Sequence, residues 1–336
     1  MHMKRIVFLA LALVISSSAF SQTVKRIGII GLDTSHSASY IKILNNPQSE
    51  YDFADRYEVV AAYPLGSTEI ESSYKRIPQI TEVAKSYGVE IVDSISDLLE
   101  KVDFVFLETN DGHPHVAQAA EVFKAGKKCF IDKPAAATLG ETIALYKLAE
   151  KYGQKTFSTS SLRLTRKNVE FREGKYGKVL GADIFSPHHP TPSHPDFGFY
   201  GIHGIEVLYT IMGTGCKEVS RIHSEGEGDL VSGVWADGRL GSYRARNNKP
   251  NIYGGTVYTE NGFEAAGGYE GEIGLLKAVF NFFENDVLPV EPEETVEIFT
   301  FMKASNMSLA RGGKSVSMDE AYKAGLKEAK KILKKY

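Results

Sequence analysis

A lysine stands between an acid and a proline in "KKCFIDKPAAATLGE". The apolar run before it reads as a buried strand. Lys133 therefore hangs an ammonium over the place where open parallel sheets take ligands, beyond the carboxyl ends of the strands. There it could bond a substrate hydroxyl and bias its proton loss; taken alone, it reads better as an exposed loop lysine. A second stretch, "KRIGIIGLDTSHS", runs an apolar strand through Gly31 into a helix, as a dinucleotide-binding domain begins, but Asp33 and His36 stand where that motif has its second and third glycines. Two like charges about 4 Å apart repel by roughly 1 kcal/mol in water and 4 at an effective dielectric of 20. A helix terminus attracts an exposed anion by only about 0.3–1 kcal/mol. Asp33 thus excludes a pyrophosphate unless it points away or a cation intervenes. The plain alternative is that Asp33, Thr34 or Ser35 caps the helix, worth about 1 kcal/mol. The second strand ends in Tyr63 and Pro64 rather than in the acid that holds an adenine ribose. A third stretch, "SPHHPTPSHPDFGF", carries His188, His189, His194 and Asp196. It could bind a metal or line a sugar pocket with donors and acceptors; the irregular spacing makes the metal signal weak, and no metal ligand is assigned.

The elements that must position these residues change character along the chain. Residues 25–160 alternate strand and helix: "RIGII", "YEVVAA", "DFVFLET", "KKCFID" and "KTFSTS" are strands, and the segments between them have helical periodicity. That order predicts parallel crossovers and a doubly wound sheet. Past about residue 178, Asp237-Gly238 and Asn261-Gly262 sit between apolar runs and predict hairpins of an antiparallel sheet. "SMDEAYKAGLKEAKKILKKY" predicts a last helix with a Ser317–Glu320 capping box and lysines at its C-terminal end. The expected fold is α/β: a Rossmann-like, doubly wound domain over 22–160, then an α+β domain over 161–336 with an open, largely antiparallel sheet. The C-terminal segment is expected to pack back on the first domain.

The 336 residues, 43% hydrophobic and 24% charged, have globular composition. "MHMKR", "IVFLALALVI" and "SSSAFS" make a basic start, an apolar run and a small-residue segment, the pattern of a secretory signal peptide over 1–21 with cleavage before Gln22. The run is shorter than the roughly 20 residues that span a bilayer, so no stable membrane anchor is expected. Without that segment 37 basic side chains face 42 acidic ones, which gives no support for nucleic-acid binding. The two cysteines, Cys129 and Cys216, make no disulfide framework.

Several motifs in order resemble one family, that of glucose–fructose oxidoreductase, inositol dehydrogenase and MocA. "DKPAAATLGE" is similar to its Glu-Lys-Pro signature, with Asp for Glu. "ETNDGHPHVAQAAEVFKAGKKCFIDKP" resembles the run from Thr-Pro-Asn into that signature, and "SSLRLTRKNVEFREGKYGKVLGADI" the arginine-bearing entry to the second domain. "YGIHGIEVLYTIMG" resembles the helix that delivers the catalytic histidine, and "RGGKSVSM" the C-terminal signature. The resemblance covers about residues 24–318. It implies an oxidoreductase acting on a sugar or polyol hydroxyl with NAD or NADP, and possession of a homo-oligomer through the open sheet. It places Lys133 and His203 at the reacting carbon, with His203 as acid/base, an imidazole being titratable near neutrality. It puts Gly31, Asp33, Thr34, Ser35, His36, Thr109, Asn110, His115, Asp132 and Lys133 at the cofactor. Arg163, His188, His189, His194, Asp196 and Glu206 fall toward the substrate. The chain departs from the family at Phe199, where an aspartate is usual, at Glu206, and in the glycine motif.

Those departures keep two other readings open: an exported carbohydrate-binding protein that has lost the cofactor, and a cofactor-free or metal-assisted sugar lyase or isomerase using the His188–His203 region. An exported, periplasmic or extracellular protein that crosses the membrane unfolded would have to find any cofactor outside. The signal pattern predicts that protein purified from its native cell begins at Gln22; N-terminal sequencing that finds Met1 would overturn it.

Overall fold

The computed structural model describes residues 23–336 except 192, 195, 227, 248 and 249, and the backbone but not the side chain of Asp196. The expected signal segment and its cleavage point lie outside the described residues.

The first half builds strand by strand. β1 (Lys25–Ile30) leads to α1 (Ser35–Leu44) and β2 (Tyr57–Tyr63); α2 (Glu71–Tyr74) and α3 (Ile77–Ser86) precede the short β3 (Glu90–Ile91). α4 (Ile95–Lys101), β4 (Phe104–Leu107), α5 (His115–Lys124), β5 (Lys128–Asp132), α6 (Leu139–Lys151) and β6 (Thr156–Thr159) complete it. All six strands are parallel, in the order β3-β2-β1-β4-β5-β6. The order reverses between β1 and β4, and that switch point opens the crevice in which doubly wound sheets bind ligands.

α7 (Arg166–Arg172), β7 (Val179–Pro187) and α8 (Ile202–Met212) start the second half. β8 (Cys216–Ser224), β9 (Gly228–Trp235), β10 (Leu240–Arg246), β11 (Gly254–Thr259) and β12 (Gly262–Ala265) follow. With β13 (Val316–Ser317) they form a seven-stranded sheet, antiparallel except where β7 and β10 pair in parallel. The hairpins fall at the expected dipeptides, but only Gly238 and Gly262 take positive φ; Asp237 and Asn261 do not, so neither turn needs two left-handed residues. One face of this sheet packs on α8 and on α10 (Pro292–Ala310). Cross-strand register puts Val234, Leu240, Tyr258 and Phe263 together on the other face, where all are exposed.

Two C-terminal helices return to the first sheet. α9 (Ile273–Asn285), which the sequence reading passed over, buries Leu275, Leu276, Val279, Phe280, Phe282 and Phe283. Phe283 stacks on Phe104 at 4.4 Å and Phe280 on Tyr57 at 4.0 Å, so α9 covers a face of the parallel sheet. Each such ring contributes about 1.5–3 kcal/mol by burial. α11 (Met318–Ile332) packs on α6, as expected of the C-terminal segment. Ser317 accepts from the Glu320 N–H at 3.2 Å, but the Glu320 carboxylate pairs with Arg311, so the capping box is half formed. Among the described residues no helix is long and apolar enough to cross a membrane. Both cysteines are buried and free.

Gly325 lies at the α11–α6 contact, where a Cβ would meet Leu139 Cγ and Cδ2 at 2.4 Å. Alanine for glycine in an exposed helix interior normally gains about 1 kcal/mol. Here overpacking of the buried Leu139 reverses the sign, and Gly325→Ala should cost about 1–3 kcal/mol, read from the urea midpoint.

Candidate active site

The loops after β1, β4, β5 and β6 meet at the carboxyl end of the parallel sheet. Lys133 and His203 come together there, from the end of β5 and the first turn of α8, although 70 residues apart in sequence. Both are buried, 8% and 9% exposed, yet Lys133 Nζ makes no hydrogen bond among the described residues. The Lys133–Pro134 peptide is cis. His203 Nδ1 lies 2.7 Å from the Ser160 hydroxyl, whose oxygen also accepts from the Leu162 N–H at 3.2 Å. If Nδ1–H donates to Ser160, the Nε2 lone pair is left for a substrate proton. Burial first, then the charges of Lys133 and His36, hold the His203 pKa well below its ordinary value. The ring is therefore neutral at neutral pH, the form a general base requires. Tyr200 and Tyr253 stand edge-on to it at 5.2 and 5.9 Å, and the Tyr253 hydroxyl donates to that of Tyr200 at 3.2 Å. Neither tyrosine was singled out by sequence, where nothing distinguishes them from the chain's other tyrosines.

The glycine motif is rebuilt rather than merely degraded. Gly31 keeps its role: its φ is +96° and a Cβ would lie 2.5 Å from the Thr109 nitrogen. Asp33 is fully buried, and its carboxylate accepts from the Ser67 N–H at 3.0 Å and the Asn110 N–H at 3.1 Å. Burial pushes this carboxyl up, against the pull of those donors. The cap of α1 is Thr34, which accepts from the Ser37 N–H at 3.2 Å, while Ser35 is exposed. A bound pyrophosphate needs backbone donors at this switch point. Asp33 stands in that turn, but its carboxylate turns to N–H groups of the loops after β2 and β4, and no acid ends β2. The residues present keep the left-handed Gly31 but lack the second and third glycines and the acid after β2, so they match the dinucleotide motif only in part.

His36, at the third glycine position, turns to carboxylates: Nδ1 is 2.9 Å from Asp132 Oδ2 and Nε2 is 3.5 Å from Glu272 Oε1. Burial opposes its protonation, but Asp132 and Glu272 outweigh that and raise its pKa. Burial likewise works against ionisation of Asp132, and His36 and Lys133 overcome it, so that carboxyl lies low. Glu108, at the end of β4, is fully buried and neither of its oxygens has a partner. Burial, Asp132 and Glu272 drive its pKa far up. Each buried polar atom left unpaired costs about 1–3 kcal/mol. Glu108 and Glu272 were missed by the sequence reading because their neighbours in this cluster are distant in sequence. A glutamate at the end of an otherwise apolar strand was the available signal.

Several residues assigned to cofactor or substrate serve the scaffold instead. His115 is fully buried with Nδ1 3.2 Å from the Ala135 carbonyl and Nε2 2.7 Å from that of Thr109, so it ties two loops together. The Thr109 hydroxyl donates to Gln118 and the Asn110 amide to Ser73. Arg163 and Glu206 are both 2% exposed and pair with each other at 2.9 Å; Arg163 also reaches Glu294 at 2.6 Å, and Thr159 donates to Glu206. Burial keeps the Glu206 carboxyl high despite Arg163, whereas Arg172 and Arg163 overcome burial at Glu294 and hold it low.

The histidine-rich loop does not converge. His194 Nε2 accepts from the Gly112 N–H at 3.0 Å, and burial depresses its pKa to about 4. His188 stands edge-on to Phe197 and is pushed down to about 4 by burial and then by Arg221, and His189 packs on Tyr200. The Asp196 side chain lies outside what is described. A groove of about 1060 Å³ lies elsewhere, between α6, α10, α11 and β8, and none of the acid/base residues lines it.

Residues 25–160 match the family model GFO_IDH_MocA, an oxidoreductase family with an NAD-binding Rossmann fold. Among curated proteins none matches the sequence. The fold is similar to that of a probable dehydrogenase from Thermotoga maritima, at 20% identity and a TM-score of 0.69, covering 88% of this chain and 99% of that one. It is similar to GenD2 from gentamicin A biosynthesis, solved in complex with NAD, at 15% identity, a TM-score of 0.70 and 88% and 96% coverage. Myo-inositol dehydrogenase from Lactobacillus casei, solved with NAD(H) and myo-inositol, gives 16%, 0.67, and 88% and 96%.

The Arg163 network yields a stability test. Arg163→Met would leave Glu206 and Glu294 buried with one cation between them gone, at a cost of about 3–5 kcal/mol. Arg172, whose side chain is 41% exposed on Glu294, should cost under about 1 kcal/mol as alanine. Chemical denaturation of the two variants separates these outcomes.

Proposed function

We propose, from the match of residues 25–160 to the Gfo/Idh/MocA oxidoreductase family model, that Lys133 and His203 act as an acid/base pair on a hydroxyl-bearing carbon of a sugar or polyol. The observation that carries this reading is the buried ammonium without a hydrogen bond beside a neutral imidazole whose far nitrogen is held by Ser160. Lys133 would bond the substrate oxygen and favour its loss of a proton, and His203 Nε2 would take that proton. Tyr200 and Tyr253 offer ring faces and hydroxyls of the kind that hold sugars. The N-terminal pattern supports export, so substrate would be met outside the cytoplasm. The exposed apolar face carrying Val234, Leu240, Tyr258 and Phe263 supports a homo-oligomer through the second sheet.

In the family's chemistry this pair serves oxidoreduction, and GenD2 and the Lactobacillus casei inositol dehydrogenase were solved with NAD. On that reading NAD or NADP is the hydride acceptor. The missing second and third glycines and the missing acid after β2 favour a second reading, in which the same pair moves protons without hydride transfer, as a sugar lyase or isomerase. Calorimetric titration of NAD and NADP into wild type, Asp33→Gly and Asp33→Asn distinguishes them. If the Asp33 charge is what excludes pyrophosphate, removing it should strengthen binding by about 1–3 kcal/mol. Tight wild-type binding that neither change affects would restore the redox reading in a family-like pose, and no binding by any of the three would favour the second.

The acid/base assignment is tested separately. On any substrate found by screening inositols and sugars, His203→Ala and Lys133→Ala should each lower kcat by about 10²-fold or more, with a smaller effect on KM. Near-normal turnover in His203→Ala would remove the assignment.

A further inference from the structure

We infer that His36, Glu108 and Asp132, with Glu272 beside them, form a binding site for one divalent transition cation. One ligand atom from each of His36, Glu108 and Asp132 lies within 4.8 Å of the others, the one such group among the described residues. Ligand atoms about 2.1 Å from a shared cation are about 3 Å apart when they sit at right angles and about 4 Å apart when they are opposite. The 2.9 Å from His36 Nδ1 to Asp132 Oδ2 is a spacing of that kind, while Glu272, 3.5 Å from Nε2, would hold the other ring nitrogen.

The second observation is the set of orphaned atoms. Glu108 Oε1 and Oε2, Asp132 Oδ1, Glu272 Oε2 and the Tyr40 hydroxyl are all buried without a partner. Glu108 is wholly enclosed and Asp132 is 1% exposed. A proton on Glu108 would neutralise it and still leave its polar atoms unbonded, whereas a cation would take up the free lone pairs and the charge together. Lys133 acts on Glu108 and Asp132 through its charge, and His36 would bind the cation as the neutral imidazole. One imidazole with carboxylates suits Mn²⁺, Fe²⁺ or Zn²⁺ better than Ca²⁺ or a thiolate-seeking metal. The cation would lie next in sequence to Lys133, at the floor of the crevice, where it adds a Lewis acid. The site stands whether or not Lys133 and His203 act as proposed, since its test reads binding and not turnover.

The chain is stripped with EDTA, returned to buffer, and titrated calorimetrically with MnCl₂ and, separately, ZnCl₂. One equivalent of at least one cation should bind and raise the melting temperature. Glu108→Gln and His36→Asn, each checked for a cooperative melt, should weaken binding at least tenfold and lose the thermal gain. His223→Ala, on the second sheet, should change neither. Absence of stoichiometric binding by folded wild type would overturn the site, and so would binding that Glu108→Gln and His36→Asn both leave unchanged. If Glu108→Gln does not fold, His36→Asn alone decides.

Discussion

Asp33, Glu108, Asp132, Glu206, Glu272 and Glu294 are all buried around the carboxyl end of the parallel sheet. A carboxylate removed from water is several kcal/mol unfavourable unless charge and hydrogen bonds are returned to it. The crevice is organised by how each acid meets that demand. Asp33 uses the backbone of two neighbouring loops, and in doing so joins the β2 and β4 ends. Glu206 and Glu294 share Arg163, which fixes α8 and α10 against the loop after β6. Asp132 takes His36 and has Lys133 nearby. Glu108 has the charge of Lys133 nearby but no hydrogen-bond partner among the described residues, and the asymmetry makes it the chemically informative member of the set.

The same demand explains how the chain can keep a dinucleotide fold while altering its phosphate site. Strand order, the left-handed Gly31 and its close approach to Thr109 are retained. At the position of the second glycine, Asp33 turns its carboxylate to the N–H groups of Ser67 and Asn110 on the loops after β2 and β4. Gly66 belongs to this arrangement as much as Gly31 does, since a Cβ there would lie 2.5 Å from the Asp33 carboxyl. Two glycines thus serve this loop crossing, Gly31 where it approaches Thr109 and Gly66 where it approaches Asp33.

Much of this was legible in the sequence. The alternation of strand and helix and the Asp-Gly and Asn-Gly turns follow from periodicity and turn chemistry, which are local signals, whereas the Lys133–His203 pairing came from the family resemblance alone. The roles of Arg163, Glu206 and His115 were misread because a polar residue bound to substrate and one bound to a buried partner look identical along the chain. The His36–Glu108–Asp132 cluster escaped for another reason: its members come from the ends of three different elements, and only the sheet makes them neighbours. α9 escaped because "GLLKAVFNFFEN" follows an antiparallel sheet in sequence, while in space its phenylalanines belong to the parallel one.

That last displacement bears on how the protein can be recombined. The layer that closes the parallel sheet is supplied by α9, and α6 is covered by α11, both encoded more than a hundred residues after β6 ends. A chimera that joined residues 22–160 to a foreign second half would leave Phe104 and Tyr57 facing a helix evolved for other rings. The unit of exchange between relatives is therefore discontinuous, and crossovers that respect it must carry α9 and α11 along with the N-terminal half.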